Sequence, residues 1–264
     1  MAPTRGPNTA GAVAREQIDR GADLIVVAGG DGTINEAAEG IIGTQVPLGI
    51  LPCGTANVLA CEVKLSLDPS RAARDLAQFQ PRRISVGRMV CDGGRVSRHF
   101  LLMAGIGLDA SIVYRVNPRL KARTGKFAYW VAGWSLLGRR LAQMEVDIDG
   151  SRRACSFVLL SRVRNYGGDF EIAKSVRLTD DTFEAVLFEG LTATRYVKYF
   201  AGMALNRLKG LKGVEVLRAS AATISTAEKA YIQIDGEFAG RLPAEISIVP
   251  DALTLLLPPA YGAL

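Results

Sequence analysis

Apolar positions along the chain follow two rhythms, and the change falls near residue 82. Before it, short continuous apolar runs alternate with stretches of helical period. Residues 24–28 (LIVVA) form a run rich in β-branched side chains, which suits a buried parallel strand, and residues 47–51 form a second. Between them Ile34, Ala37, Ala38, Ile41 and Ile42 recur at helical spacing, and Thr33 with Glu36 predicts a capping box at the helix start. An earlier helix, capped by Asn8 or Thr9, runs to about Arg20, with Ala10, Val13, Ala14 and Ile18 inward and Gly21 as its stop. A short helix follows from Val58 to about Glu62. Another, opened by Asp68-Pro69, carries Ala72, Ala73, Leu76 and Ala77 and ends before Pro81.

From about Arg82 the period shortens to two and turn residues multiply. Residues 84–90 and 97–103 flank Asp92-Gly93-Gly94, residues 144–148 and 154–160 flank Asp149-Gly150, and residues 231–234 lead into Asp235-Gly236. Such hairpin signals predict an antiparallel sandwich or barrel over 83–264, after a first domain over 1–82. Two helical stretches interrupt it. In residues 121–140, Phe127, Trp130, Val131, Trp134 and Leu137 share a face between Lys121, Arg123, Lys126, Arg139 and Arg140. Residues 193–208 carry or precede Arg195, Lys198, Arg207, Lys209 and Lys212. Each is either a core helix or one that rests on a membrane interface.

Composition narrows the partners. With 264 residues, 48% hydrophobic and 22% charged, the chain is globular and long enough for two domains. A net charge of +6 suits nucleotides or acidic lipid surfaces. Nucleic acid is disfavoured, because the basic residues are not interleaved with aromatics. Cys53, Cys61, Cys91 and Cys155 lack C-x-x-C spacing, which argues against zinc or a disulfide framework and for a reducing cytoplasm. No segment approaches ~18 consecutive apolar residues, so a soluble or peripheral protein is expected.

The candidate chemistry starts where the first apolar run breaks. Gly29-Gly30-Asp31-Gly32 joins that strand to a helix N-terminus, which makes an anion site of N–H groups unobstructed by Cβ atoms. Asp31, an acid in such a loop, either handles Mg²⁺ on a phosphate or fixes the loop by accepting N–H bonds. Pro52-Cys53-Gly54-Thr55-Ala56-Asn57 follows the second run; Thr55 and Asn57 offer polar groups to a nucleotide or to the opposing glycine loop, or cap the next helix. Gly105 to Ala110 matches G-x-G-x-x-A but lacks the βαβ setting of a dinucleotide site. No P-loop or protein-kinase motif set is present, and the lone His99 lies in a strand pattern.

Gly29 to Thr33 (G-G-D-G-T), Pro52 to Asn57 (P-x-G-T-x-N) and Asp235 to Glu237 (D-G-E) together resemble the diacylglycerol kinase catalytic-domain family. That family includes sphingosine, ceramide and bacterial YegS-like lipid kinases, with NAD kinases and 6-phosphofructokinases as distant kin. The resemblance implies an open α/β domain of phosphofructokinase/NAD-kinase type followed by an antiparallel β-sandwich, with the active site in the cleft between them. It implies an ATP-dependent lipid kinase that uses Mg²⁺ and is cytoplasmic, meets its lipid at a membrane surface, and allows a homodimer. The nucleotide would be held by Thr4, in a stretch similar to the family's T-x-x-x-x-x-A, by Gly29, Gly30, Asp31, Gly32, Thr33, Asn35 and Glu36, and by Gly54, Thr55 and Asn57. Asp109, in G-x-G-x-D-A, would lie near the lipid head group. Asp180 with the carbonyls of Phe183 and Ala185 would hold a structural Mg²⁺, the alternative being a solvated acidic turn. Asp235 would accept the hydroxyl proton with Glu237 orienting it or the metal, unless Asp235-Gly236 is simply a hairpin turn.

The chain also departs from the family pattern. Asp169 stands for the last glycine of N-x-G-G-G, Lys174 for a frequent proline, and Asp181 for the glycine of D-G-x-L-D. Relatives carry a further strand and an N-P-x-S-G loop ahead of Thr4. The alternatives are an NAD kinase-like enzyme with a soluble substrate and a non-catalytic lipid-binding member.

Overall fold

The computed structural model describes residues 1–108, 110–111, 140–166, 170–190, 192–204 and 207–262. Asp109, the tryptophan-bearing stretch 112–139 and the 167–169 part of the N-x-G-G-G segment lie outside the described residues. In order, the elements are α1 (Ala10–Asp19), β1 (Ile25–Gly29), α2 (Asp31–Ile41), β2 (Leu48–Pro52), α3 (Val58–Glu62), α4 (Pro69–Asp75), β3 (Gln80–Cys91), β4 (Val96–Phe100), β5 (Met103–Gly107), β6 (Met144–Ile148), β7 (Ser151–Cys155), β8 (Phe157–Ser161), β9 (Asn165–Tyr166), β10 (Phe170–Glu171), β11 (Phe183–Phe188), α5 (Ala193–Ala204), β12 (Val214–Ala219), β13 (Ala221–Ser225), β14 (Tyr231–Ile234), β15 (Glu237–Arg241) and β16 (Ala244–Leu257).

They divide into two units. The first takes residues 1–86, 177–181 and 249–264, and the second takes 87–176 and 182–248. The chain crosses between them within β3, twice around the 177–181 segment, and within β16.

The first unit is α/β. β1 pairs in parallel with β2 from Ile25 opposite Leu48 to Gly29 opposite Pro52, and Leu48 of β2 is also matched with Leu255 of β16. β2, with a neighbour on each side, is buried. β1, paired only with β2 among the described residues, leaves Val26 42% exposed, and Leu24 just before it is 39% exposed, so the buried strand expected from the apolar run is instead a half-open one. The two runs differ little in composition; the number of strand neighbours decides their burial. Ile34, Ala37, Ala38 and Ile41 are the buried face of α2, as their spacing predicts.

The second unit is an antiparallel sandwich, not a closed barrel. One layer has the strand order β12-β11-β8-β5-β14-β15. The other includes β13 between β6 and the start of β16, with the β6–β7 and β3–β4 hairpins. Met89, Phe100, Ile106, Val146, Val158, Phe183, Ile224, Ile232 and Ile246 meet in the core between them.

Two expected strands are cut. Residues 97–103 do not run straight through, because the N–H groups of 101–103 turn to a carboxylate described below. Residues 154–160 break at Ser156, whose N–H donates to Phe188 O at 3.0 Å and whose hydroxyl meets Gly190 O and, at 2.8 Å, the Tyr196 hydroxyl. The chain changes layers there: β7 stays on β6, while β8 lies between β5 and β11.

Candidate active site

The two glycine turns of the first unit touch. Cys53 N donates to Gly29 O at 2.9 Å, which continues the β1–β2 ladder into the turns. A Cβ on Gly30 would lie 3.1 Å from Gly54 Cα. A Cβ on Gly54 would lie 2.5 Å from Gly30 Cα and 2.8 Å from Asn57 Oδ1. Side chains are therefore excluded from this contact by space rather than by backbone angle.

Gly30 is the N-cap of α2 in extended conformation, and the first intrahelical bond runs from Ile34 N to Gly30 O at 3.0 Å. The N–H groups of Asp31, Gly32 and Thr33 precede it, so a helix N-terminus with its partial positive charge opens beside the paired glycines. Thr55 is exposed at the rim. Asn57, at φ 46°, closes its own turn by accepting from Gly54 N at 2.8 Å and donating to Gly54 O at 2.9 Å.

The carboxylates beside these turns serve the main chain. Asp31 accepts from Val58 N at 3.0 Å and Leu59 N at 3.1 Å, capping α3 from the opposite motif, which is the loop-fixing alternative foreseen for it. Glu36 accepts from Asn8 N at 2.9 Å and Ala10 N at 3.2 Å, and so caps α1. The expected capping box does not form, because α2 starts at Asp31, which places Thr33 third in the helix and Glu36 a turn too late. Thr9, the N-cap of α1, spends its hydroxyl on Gly6 O at 2.6 Å instead. Asn35 is half-buried on α2, and Thr4 is exposed in the segment that Glu36 ties down.

Asp235 and Glu237 lie in the second unit. Asp235 at φ 48° and Gly236 at φ 82° make the hairpin turn between β14 and β15. The Asp235 carboxylate accepts from Leu101 N at 2.8 Å through Oδ2, and from Leu102 N and Met103 N at 2.9 Å through Oδ1. Its own N–H donates to Met103 O at 2.9 Å. Glu237 pairs with Arg98 at 3.7 Å; with side chains 33% and 39% exposed this is a weak surface pair. No sequence motif announces Arg98 or the 101–103 donors.

Asp180 closes its own turn by accepting from Arg177 N at 3.1 Å, while Phe183 and Ala185 are interior residues of β11. Asp181 bonds to Ser85. Among the described residues no three His, Cys, Asp or Glu side chains are grouped to hold a metal, so a cation at Asp180 would depend on main-chain oxygens.

Residues 1–89 match the family model described as the diacylglycerol kinase catalytic domain, and 102–257 match that of the YegS C-terminal NAD kinase beta sandwich-like domain. The chain is 30% identical over 246 residues to a diacylglycerol kinase of Mycobacterium tuberculosis, covering 91% of this chain and 79% of that one. To the Bacillus subtilis diacylglycerol kinase it is 28% identical over 240 residues, covering 88% and 77%. A solved diacylglycerol kinase from Bacillus anthracis str. Sterne has a TM-score of 0.78 at 22% identity over 97% of this chain and 85% of that one. Yeast NADH kinase complexed with NADH has a TM-score of 0.53 at 14% identity over 92% and 64%, a likeness of fold alone. With residues 1–89 and 102–257 each matched by its own model, and a relative 30% identical over most of both chains, the chain belongs to the diacylglycerol kinase family.

Proposed function

We propose that the chain is an ATP-dependent kinase acting on a hydroxyl of diacylglycerol or a related lipid, cytoplasmic and peripherally bound to membranes. The observation that carries this reading is the contact of Gly30 with Gly54 beside the first turn of α2. Two turns that meet at glycines, braced by Asp31 and Asn57, form a polar main-chain cradle that fits a phosphate chain. Bound ATP would supply the phosphoryl group, with Mg²⁺ neutralising its charge. Thr33 and Asn35 would line one side, with Thr55 at the rim of the other.

Asp235 would take the proton of the lipid hydroxyl. Its main-chain donors, Leu101 N on Oδ2 and Leu102 N and Met103 N on Oδ1, hold the carboxylate in one orientation and so fix the direction from which the hydroxyl can approach. Glu237, at the start of β15, would act through its pairing with Arg98 of β4. A membrane surface is supported by α5 and the turn after it. Val197 is 58% exposed there, Arg195, Lys198, Arg207, Lys209 and Lys212 are all exposed, and no acid occurs between Gly190 and Val214.

Purified protein incubated with labelled ATP, Mg²⁺ and vesicles of diacylglycerol, sphingoid base, ceramide or phosphatidylglycerol is expected to transfer label to at least one lipid. No transfer to any, with the Bacillus subtilis relative active in parallel, overturns the reading. Transfer to soluble NAD instead would move the chain to the soluble-substrate branch.

A further inference from the structure

We infer that Tyr261 is a positioning residue for the nucleotide cradle, acting through α3; the inference rests on the nucleotide reading of the two glycine turns. α3 spans Val58–Glu62, a single turn and a half that cannot hold its own direction without anchors. Its N-terminal anchor is the Asp31 carboxylate on Val58 N and Leu59 N. Its C-terminal anchor is Glu62, an acid where the helix dipole disfavours one, and only 7% exposed.

Glu62 Oε1 accepts the Tyr261 hydroxyl at 3.0 Å, and that hydroxyl in turn accepts from Leu178 N at 3.1 Å. Tyr261 is itself buried, and Arg82 Nη1 donates to its carbonyl at 2.6 Å. The phenol thus joins α3 to the 177–181 segment, and the carbonyl of the same residue adds the start of β3, all within the first unit. The direction of α3 reaches the cradle through Asn57. This residue is the helix N-cap in left-handed conformation, and its amide grips Gly54 at both N and O. Gly54 has no slack against Gly30. A tilt of α3 released at Glu62 is therefore delivered to the one contact that shapes the phosphate site.

The test is Tyr261→Phe in the full chain, which keeps the ring and removes both hydrogen bonds. Thr254→Val serves as the control: it removes a buried hydroxyl of the same unit that Arg83 of β3 bonds at 3.1 Å. Expected for Tyr261→Phe is a roughly tenfold rise in the ATP dissociation constant and in KM for ATP, with kcat within about twofold. Amide exchange at Gly54, Val58 and Leu59 of the ligand-free protein should quicken about tenfold. Glu62→Gln, which keeps an acceptor but loses the charge, should fall between Tyr261→Phe and wild type, and it carries the test if Tyr261→Phe does not fold. Unchanged exchange and ATP affinity in the foldable variant, or equal losses in Thr254→Val at a matched melting temperature, overturn the inference. Wild-type protein that binds no ATP overturns the nucleotide reading instead, while exchange still decides whether Tyr261 steadies the turn.

Discussion

The glycine turns of the first unit and the Asp235 turn of the second solve opposite problems. The first pair makes room: Gly30 and Gly54 meet where any Cβ would intrude, and the nearby acids are turned away to cap α1 and α3. The second concentrates donors: three consecutive N–H groups converge on one carboxylate. Local sequence does not produce that convergence. Asp92-Gly93 and Asp149-Gly150 have the same left-handed pair of φ angles, 53° and 63° in one and 53° and 77° in the other, yet both aspartates are exposed. The turn is a property of the dipeptide; the anchoring belongs to the fold.

The largest expected effect is at Gly54. Gly54→Ala should weaken ATP by about a hundredfold or more in calorimetry, because the new methyl meets backbone on one side and a buried amide on the other. Gly30→Ala, with 3.1 Å to its nearest neighbour, should cost nearer tenfold; equal losses would break the steric account. Asp235→Ala should lower stability by about 3 kcal/mol in urea titration, since three main-chain donors lose their acceptor. Asp92→Ala and Asp149→Ala should stay within about 1 kcal/mol. In activity, Asp235→Asn should lose turnover while ATP binding remains, and unchanged turnover would acquit Asp235 as the proton acceptor.

Smaller effects separate the interiors. Burial pushes the Cys155 thiol from its usual 9.0 up to about 12, and raises Tyr196 and Tyr199 as well. A raised folded-state value means that the unfolded chain loses its proton first. The melting temperature should therefore hold below about pH 9 and fall as the pH rises from there toward about 12, less steeply in Cys155→Ala. Cys53, exposed between Pro52 and Gly54, should be alkylated before Cys91 and Cys155, and ATP should slow only that first reaction.

Among the described residues the helix positions apart from the start of α2, both glycine turns and the hairpins at Asp92-Gly93 and Asp149-Gly150 were legible, because each depends on neighbours in sequence. What was not legible depends on distant partners. Glu36 looked like the acid of its own helix cap, but α2 begins earlier and the carboxylate serves α1. β1 looked as buried as β2, and only the strand order separates them. Nothing near Ser156 marks the change of layer, and nothing near residue 177 marks the return of five residues to the first unit.

The 101–103 donors and Asp235 are separated by 132 to 134 positions. During synthesis, the loop at 101–103 must wait for an acceptor that leaves the ribosome long after it. Nascent chains stalled before Tyr231 should be cut there by protease, and release of the last hairpin should close the site to cleavage.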